Sequence, residues 1–411
     1  MDITNFTEFK TGQLEPIVTE KGKQTWAFIP NRLPSGVELT AAQWSDVAHA
    51  QQAVGSLEQI RAILPDPFLL LTPLQRREAI ISSRLEGTYT LPEQMLLFDV
   101  EQEADAAQAS ASPRSSENRE VWNHYEALRK GHNWLSASKP LDQSLILHLH
   151  ETLMSGVRGE DKNPGKFRDC HVAVGRRPRR FIPPPPEKIE SCVADLVEYM
   201  TNGETNGLIK SYEVHYQFEA IHPFQDGNGR VGRVLLSLCV SSWLGLSMPW
   251  LYMSEFFEKH KREYNERLFN ISANGEWAEW FDFAMQGTVE QSQASIKRCE
   301  RLRKLQDQYT KQVFQLGTRM RGIIDMVFVR PVIRIAQVAE KFGVSNEAAR
   351  LDINKLVDVG ILRALPRTRP RAFACFPIID AAYGDDPPDQ ASDDASESEP
   401  PSSQSHAVAS T

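Results

Sequence analysis

One segment, residues 222–233, combines residue types that could bind and use a nucleotide. It reads HPFQDGNGRVGR. Glycines let backbone amides converge because no Cβ blocks the approach, and converging amides at a helix N-terminus form an anion site. Arg230 and Arg233 are three residues apart, so on a helix they share a face and can both hold phosphate oxygens. The segment therefore predicts a phosphate-binding loop, Gly227-Asn228-Gly229, that leads into a helix.

Two further side chains of this segment add reactive chemistry. Asp226 is a hard carboxylate beside the predicted anion site, and Mg²⁺ is usually held in proteins by one or two carboxylates plus substrate phosphates. His222 stands where the loop begins, and an imidazole that titrates near neutrality suits a general base. Together these residues predict a nucleoside triphosphate, bound with Mg²⁺, beside a catalytic base.

Other interpretations of this segment explain less of it. Asp-Gly and Asn-Gly form hairpin turns between strands, but helical patterns flank the segment on both sides. A calcium loop needs further acids at fixed offsets, and a P-loop needs Gly-Lys-Ser/Thr, which does not follow here.

The segment resembles the Fic-family signature, His-x-Phe-x-Asp/Glu-Gly-Asn-Gly-Arg-x-x-Arg, at every position. The resemblance extends over about residues 40–290. It implies a mainly α fold, a Fic helical core with a small β-hairpin flap. The usual reaction of the family is transfer of AMP from ATP, with Mg²⁺, to a Ser, Thr or Tyr hydroxyl. The resemblance thus implies a protein adenylyltransferase whose acceptor is a target protein or the enzyme itself.

The resemblance also assigns a role to individual residues. His222 is implied as the base, Phe224 as the anchor of the loop and Asp226 as the Mg²⁺ ligand. The implied nucleotide-binding residues are Gly227, Asn228, Gly229, Arg230, Arg233, Tyr264 and Asn274, the last two as adenine contacts. Residues 164–168 resemble the stretch before the family's flap, so a hairpin at about 169–185 would bind the target backbone by strand addition.

A second motif lies upstream, at Ser82-Ser83-Arg84-Leu85-Glu86-Gly87. Taken alone, it indicates the end of a helix with Gly87 as the stop. Beside a Fic core it resembles the family's inhibitory-helix pattern, Ser/Thr-x-x-x-Glu-Gly/Asn. This resemblance implies that Glu86 pairs with Arg233 and occupies the group meant for the γ-phosphate, with Ser82 in support. In some relatives the same Glu serves AMP removal, so the direction of the reaction stays open.

The rest of the chain must supply the elements that position these residues. We expect an N-terminal helical region with the inhibitory helix at 1–118, the Fic core at 119–290 and a connecting helix at 291–316. A winged helix-turn-helix domain follows at 317–383, and a disordered acidic tail at 384–411. The helices expected in the core are 120–136, 141–155, 186–201, 211–221, 230–243, 254–272 and 277–289.

The expected winged helix rests on a local pattern at residues 335–356. Gly343 fits the tight turn between two helices, and Ser345 fits the cap of the second. A basic stretch typical of a wing follows, with Arg363, Arg367, Arg369 and Arg371. Glu347 and Asp352 make the second helix only weakly basic. DNA binding and protein docking, including a homodimer, both stay open for this domain.

Composition narrows the class of protein. Of the 411 residues, 41% are hydrophobic and 24% charged, which is typical of soluble globular proteins and excludes collagen-like and fibrous chains. The net charge of −8 comes almost entirely from seven acids within residues 385–399. Five scattered cysteines without a Cys-x-x-Cys pair indicate a reducing cytosol, and hence a cytoplasmic protein. Residues 234–253 are uncharged but hold four serines and Pro249, so we expect a buried helix and no membrane span.

Two other functions remain as alternatives. The Fic core could be a nucleotide sensor within a DNA-binding transcriptional regulator, although a sensor has no need of His222 and Asp226. The same chemistry could also use a different nucleotide or a phosphocholine carrier as donor.

Overall fold

A computed structural model describes residues 1–7, 10–19, 22–63, 68–104, 113–157, 162–176 and 179–384 of the chain. Beyond residue 384, the acidic tail expected at 384–411 lies outside the described residues. The described chain is mainly helical, with two small antiparallel sheets. The expected fold class, a helical core followed by a winged helix, is confirmed.

The N-terminal region begins with a hairpin and becomes helical from Ala41. Strand β1 (Gly12–Val18) pairs with β2 (Gln24–Pro30), with Gly12 opposite Pro30. Ala27, Phe28 and Ile29 of β2 are buried against the helical core, and this tertiary packing holds the short hairpin in place. The helices that follow are α1 (Ala41–Ile63), α2 (Phe68–Leu85), α3 (Pro92–Ala104) and α4 (Pro113–Ser136).

The core helices follow the expected order. They are α5 (Gln143–Met154), α6 (Pro186–Asn202), α7 (Gly207–Ile221), α8 (Asn228–Trp243), α9 (Ser254–Lys259), α10 (Lys261–Asn274) and α11 (Trp277–Val313). The helix expected at 254–272 is broken at His260, whose backbone leaves the helical region at φ −110° and ψ 31°. The core helix expected at 277–289 and the connecting helix expected at 291–316 are instead one continuous helix, α11, because no proline interrupts residues 277–313.

The flap is more irregular than the expected hairpin at 169–185. In its described part, Val174 and Phe181 form an isolated antiparallel bridge. Four consecutive prolines, 183–186, follow and prevent a longer ladder because they lack N–H donors. The flap instead joins the N-terminal hairpin, where the Phe28 N–H donates to Ile182 O at 2.9 Å.

The C-terminal domain has the helix-turn-helix geometry that the sequence predicts. Gly343 adopts a left-handed φ of +61°, and Ser345 Oγ accepts a hydrogen bond from the Ala348 N–H at 3.2 Å. A three-stranded sheet, in the order β3 (Val332–Arg334), β5 (Ala372–Ala374) and β4 (Arg363–Ala364), completes the winged helix. After a 3₁₀ turn (Phe314–Leu316), the elements are α12 (Thr318–Val329), β3 (Val332–Arg334), α13 (Ile335–Phe342), α14 (Asn346–Asp358), β4 (Arg363–Ala364), β5 (Ala372–Ala374) and α15 (Phe376–Tyr383).

The uncharged stretch at 234–253 contains the expected buried helix, which ends at Trp243. Val234, Leu238 and Val240 of α8 are fully buried. Among the described residues, no helix is both long and apolar enough to cross a membrane.

Candidate active site

The predicted phosphate-binding loop connects α7 to α8. Gly227 precedes α8 with a left-handed φ of +79°. The Asn228 side chain accepts from the Phe224 N–H (2.9 Å) and donates to Phe224 O (2.8 Å), so one amide closes the loop on itself. Phe224 is fully buried, and the His150 ring stacks on it at a centroid distance of 3.7 Å. These contacts hold the N-terminus of α8, with its free amides and its positive dipole end, at the loop.

His150 is a supporting residue that sequence reasoning missed. Its Nδ1 accepts from the Gly165 N–H (3.0 Å), so its Nε2 carries the proton and donates to Asp226 O (3.1 Å). Burial lowers the pKa of His150 to about 4, which keeps this ring neutral. The loop thus rests on a histidine whose hydrogen bonds fix its tautomer.

His222 caps the C-terminal end of α7 in a left-handed conformation, with φ +49°. The buried Arg168 holds this conformation, because its Nε donates to His222 O (2.9 Å) and its Nη2 to Pro184 O (2.6 Å). The ring Nδ1 is buried and has no hydrogen-bond partner among the described residues. Burial, together with the Arg168 guanidinium, lowers the pKa of His222 to about 4. His222 is therefore a neutral imidazole at physiological pH, which is the form a general base requires.

A buried carboxyl, Glu219, lies beside His222 and was also missed from the sequence. Its Oε2 is 3.9 Å from His222 Nδ1, and its Oε1 has no hydrogen-bond partner within the described chain. A Cβ at position 232 would lie 2.6 Å from Glu219 Oε1, so Gly232 makes room for this side chain. Burial raises the pKa of Glu219 to about 7. Its spacing three residues before His222 was the available signal, because such residues are neighbours at a helix end.

The Ser82–Gly87 motif contacts the helix that follows the signature loop directly. Arg233 Nε donates to Ser82 Oγ (2.7 Å), and its Nη2 donates to Ser82 O (3.0 Å) and Glu86 Oε1 (2.8 Å). Burial by itself would raise the pKa of Glu86, but the Arg233 guanidinium outweighs it and lowers that pKa below its ordinary value. Glu86 is therefore an ionised partner of Arg233. Gly87 ends this segment with a left-handed φ of +89°.

The Glu86 carboxylate also lies over the N-terminus of α8. A Cβ at position 229 would lie 2.3 Å from Glu86 Oε1, so only glycine allows this approach at Gly229. A negative group thus already occupies the place where the loop amides and Arg233 could receive an anion.

Arg230 is 5% exposed and incompletely paired. Its Nε and Nη1 have no hydrogen-bond partner in the described residues, and its nearest carboxylate oxygens are Asp226 Oδ1 at 3.7 Å and Glu120 Oε2 at 3.9 Å. Buried guanidinium groups are normally satisfied. Arg230 is thus a cation whose N–H groups could donate hydrogen bonds to an incoming anion.

Asp226 has the oxygen chemistry of a magnesium ligand. Its side chain is 40% exposed, with Oδ2 accepting from Lys162 Nζ (2.8 Å) and Oδ1 from the Gly227 N–H (2.7 Å). The Lys162 ammonium and the Gly227 amide outweigh partial burial and lower the pKa of Asp226. The described residues contain no cluster of three or more His, Cys, Asp or Glu suited to a metal. A cation here would take its further oxygen ligands from water or from a bound phosphate.

A cleft of about 730 Å³ brings His222, Arg233, Glu86 and Glu219 together with the flap, a size suited to a nucleotide. Tyr264 lines this cleft, and its hydroxyl is hydrogen-bonded to His215 Nε2 at 2.9 Å. Asn274 does not line it. Its side chain instead binds Thr7 Oγ1 (2.9 Å) and Glu276 Oε1 (2.8 Å). The other residues that line the α10 side of the cleft are Arg262, Asn265, Glu266, Leu268, Phe269 and Ser272.

Three family models match parts of the chain. The Fic/DOC family matches residues 140–240, the Fic/DOC family N-terminal region matches 44–133, and a DeoR-like helix-turn-helix domain matches 319–367. The first covers the signature loop, the second covers the inhibitory motif, and the third covers the turn at Gly343.

Individual relatives agree with these matches. A probable protein adenylyltransferase of Aquifex aeolicus is 33% identical over 114 residues, which are 28% of this chain and 33% of that protein. A protein adenylyltransferase of Caenorhabditis elegans is 31% identical over 96 residues, 23% of this chain and 18% of that protein. This chain therefore spans a third or less of these relatives' length.

The fold is shared more widely than the sequence. A crystal structure of a Fic family protein from Desulfovibrio desulfuricans is 19% identical, with a TM-score of 0.53 over 84% of this chain and 98% of that one. With its loop, its Ser82–Gly87 segment and its C-terminal turn all matched, the chain carries a Fic/DOC domain at residues 140–240, a Fic/DOC N-terminal region at 44–133 and a winged helix-turn-helix domain.

Proposed function

We propose that this protein is a protein adenylyltransferase that moves AMP from ATP to a Ser, Thr or Tyr hydroxyl of a target protein or of itself. The observation that carries the proposal is the neutral His222 imidazole in one cleft with Arg233 and the N-terminus of α8. The names of the Aquifex and Caenorhabditis relatives support the same chemistry.

The loop and its arginines would hold the triphosphate. Gly227, Asn228 and Gly229 present amides at a helix N-terminus, where the dipole favours an anion. Arg230 has unused buried donors, and Arg233 gains access to phosphate when Glu86 moves away. Tyr264 lines the cleft, whereas Asn274 does not, so Tyr264 is the remaining candidate for the adenine contact.

His222 would act as the general base. Its Nδ1 is buried, so Nε2 is the nitrogen available to the cleft. Nε2 takes the proton of the acceptor hydroxyl while that oxygen bonds to the α-phosphorus. The bond from this phosphorus to the bridging oxygen of the β-phosphate breaks, and pyrophosphate leaves. Most of the rate would come from in-line positioning and charge stabilisation by the loop amides and arginines.

Asp226 would hold Mg²⁺ together with phosphate oxygens, because its carboxylate is accessible and ionised. Mg²⁺ would supply neutralisation of the phosphate charge. Lys162 now pairs with this carboxylate and marks the place as one that attracts a cation.

Labelling of the purified chain tests the proposal. Protein incubated with Mg²⁺ and ATP labelled at the α-phosphate should become labelled, whereas ATP labelled at the γ-phosphate should leave it unlabelled. Label from the γ-phosphate would indicate phosphoryl transfer instead. Label only from another nucleotide or a phosphocholine carrier would overturn ATP as the donor.

The pH dependence of transfer should reflect the depressed pKa of His222. The imidazole is an active base only above its pKa, which burial and Arg168 lower to about 4. Glu219, whose pKa is about 7, loses its charge on acidification and so cannot raise the pKa of His222 there. We expect the kcat of the Glu86→Gly variant, which lacks the inhibitory carboxylate, to remain at pH 5.5 close to its value at neutral pH. A profile already halved at pH 6.5 would contradict this assignment.

A second candidate function, DNA binding by the winged helix, rests on its exposed wing. Arg363, Arg367, Arg369 and Arg371 are all exposed on or beside β4 and β5, and the domain matches a DeoR-like helix-turn-helix. Each phosphate contact releases counterions, so duplex affinity should fall steeply with salt.

Replacing Arg367, Arg369 and Arg371 with alanine should weaken duplex binding by the full chain. We expect the slope of log affinity against log salt to become shallower by about 1 for each lost contact. Arg303→Ala, in an exposed pair on α11, is the matched control. Absence of duplex binding at 50 mM salt would leave protein docking as the role of this domain.

A further inference from the structure

The inhibitory helix α2 lies between the Fic core and the winged helix. Its core-facing residues recur every four positions. Glu78 accepts a hydrogen bond from Ser254 Oγ, while Ser82 and, just beyond the helix, Glu86 accept from Arg233. This face of the segment therefore places the inhibitory carboxylate in the cleft.

Two arginines of α2 reach the winged-helix domain, and Arg77 Nη2 also pairs with Glu255 Oε1 of α9 at 2.6 Å. Arg76 Nη1 donates to Val329 O, and its Nη2 pairs with Asp99 of α3. Arg77 Nη1 donates to Tyr383 O (2.6 Å) and Gly384 O (3.3 Å). Both arginines are buried, at 2% and 6% exposure.

The carbonyls that these arginines bind lie at the ends of helices. Val329 is the last residue of α12, Tyr383 is the last residue of α15, and Gly384 follows it. The last carbonyls of a helix lack intrahelical donors and carry the negative end of the dipole. Arg76 and Arg77 therefore cap two helices of the winged-helix domain from within the inhibitory helix.

The two contacts of α2 are connected by continuous helix. From Arg77 the helix runs unbroken to Leu85, so a shift at the arginines is transmitted along it without an intervening hinge. Glu86 lies nine positions after Arg77, about 14 Å along the helix axis at 1.5 Å per residue. Because the contact of Glu86 with Arg233 is a single 2.8 Å hydrogen bond, a displacement of about 1 Å would break it.

We propose that the winged-helix domain clamps α2 in its inhibitory position, and that loosening this docking releases Glu86 from Arg233. The clamp regulates the proposed transfer site, but its structural part does not depend on that activity. Docking of the winged-helix domain would then regulate access to the cleft.

Two variants of the full chain weaken the clamp without touching the cleft. Arg77→Met removes the Nη1 donor to Tyr383 O and Gly384 O, and the Nη2 donor to Glu255 of α9, while keeping the aliphatic stem. Glu255 retains Arg298 Nη2 at 3.3 Å. Tyr383→Leu changes the winged-helix side, where the tyrosine hydroxyl lies beside Arg76. Arg350→Ala, in an exposed pair on α14, is the matched control.

Amide hydrogen exchange at residues 80–88 is the first readout, because it needs no transfer activity. We expect exchange there to be at least fivefold faster in both clamp variants than in the wild type. In Arg350→Ala the exchange rate should equal that of the wild type. Automodification with α-labelled ATP should rise at least fivefold in the same two variants, and adding either to Glu86→Gly should give no further rise.

Unchanged exchange in both variants would overturn the clamp, whatever the labelling shows. So would an equal rise in label within the Glu86→Gly background, since the effect would then bypass Glu86. If Arg77→Met unfolds the chain in a thermal melt, Tyr383→Leu decides alone. The clamp variants could show faster exchange while no variant, including Glu86→Gly, is labelled by ATP. That result would support the clamp and contradict adenylyl transfer.

Discussion

Glu86→Gly should raise automodification with α-labelled ATP by about 10- to 100-fold. Glu86 holds Arg233 through a charged hydrogen bond of 2.8 Å and covers the α8 N-terminus. Hydrogen bonds to charged groups contribute about 1.5–3 kcal/mol, and exposure of 43% of the Glu86 side chain places this one toward the lower value. Each 1.4 kcal/mol corresponds to about a factor of ten.

The matched control for this result is Glu93→Gly, which removes an acid in α3 outside the cleft. Label should stay at the wild-type level there. Equal label in wild type and Glu86→Gly would contradict inhibition by this residue. If Glu86→Gly instead stops release of AMP from already modified protein, the working direction is removal.

Adding His222→Ala to the Glu86→Gly variant should reduce the rate of transfer by about 10³-fold, within the range expected for loss of a general base. The imidazole is neutral, positioned by Arg168 and open to the cleft through Nε2. ATP affinity should change little, because the loop amides and arginines remain. Single-turnover labelling and equilibrium binding of ATP measure the two effects separately.

His148→Ala is the matched histidine control, because His148 is partly exposed on α5 and pairs only weakly with Glu151. Transfer by this variant should equal that of Glu86→Gly. Transfer that persists in the double variant would show that another group removes the proton, and the nearby carboxyl of Glu219 would be the first to test.

Local interactions explain why the sequence alone was so informative about the loop. Gly227 and Asn228 act through their own backbone and through Phe224, which is four residues away. The turn at Gly343 and the cap at Ser345 are equally local. Such features depend on neighbours in the chain, so residue type and spacing are sufficient to predict them.

The family resemblance also predicted one contact between distant parts of the chain, that of the Ser-x-x-x-Glu-Gly motif with Arg233. Ser82 and Glu86 lie about 150 residues before Arg233, and composition or periodicity contains no sign of their contact. The Ser-x-x-x-Glu-Gly motif predicted the pair, and the structure has it at hydrogen-bond distance. The same resemblance placed Asn274 at the adenine site, whereas the structure places it beside Thr7, because spacing between helices does not determine how α10 turns toward the cleft.

The sequence by itself located the phosphate-binding loop, the candidate base His222, the Ser-x-x-x-Glu-Gly motif and the helix-turn-helix. Only the tertiary structure decided that Arg168 positions His222, that Glu219 is buried beside it, and that Arg76 and Arg77 join the inhibitory helix to the winged helix. These contacts connect residues whose partners are chosen by packing of whole elements. The sequence does not distinguish a buried arginine from an exposed one. Only the packed fold shows which guanidinium is desolvated and therefore needs a carbonyl or carboxylate acceptor.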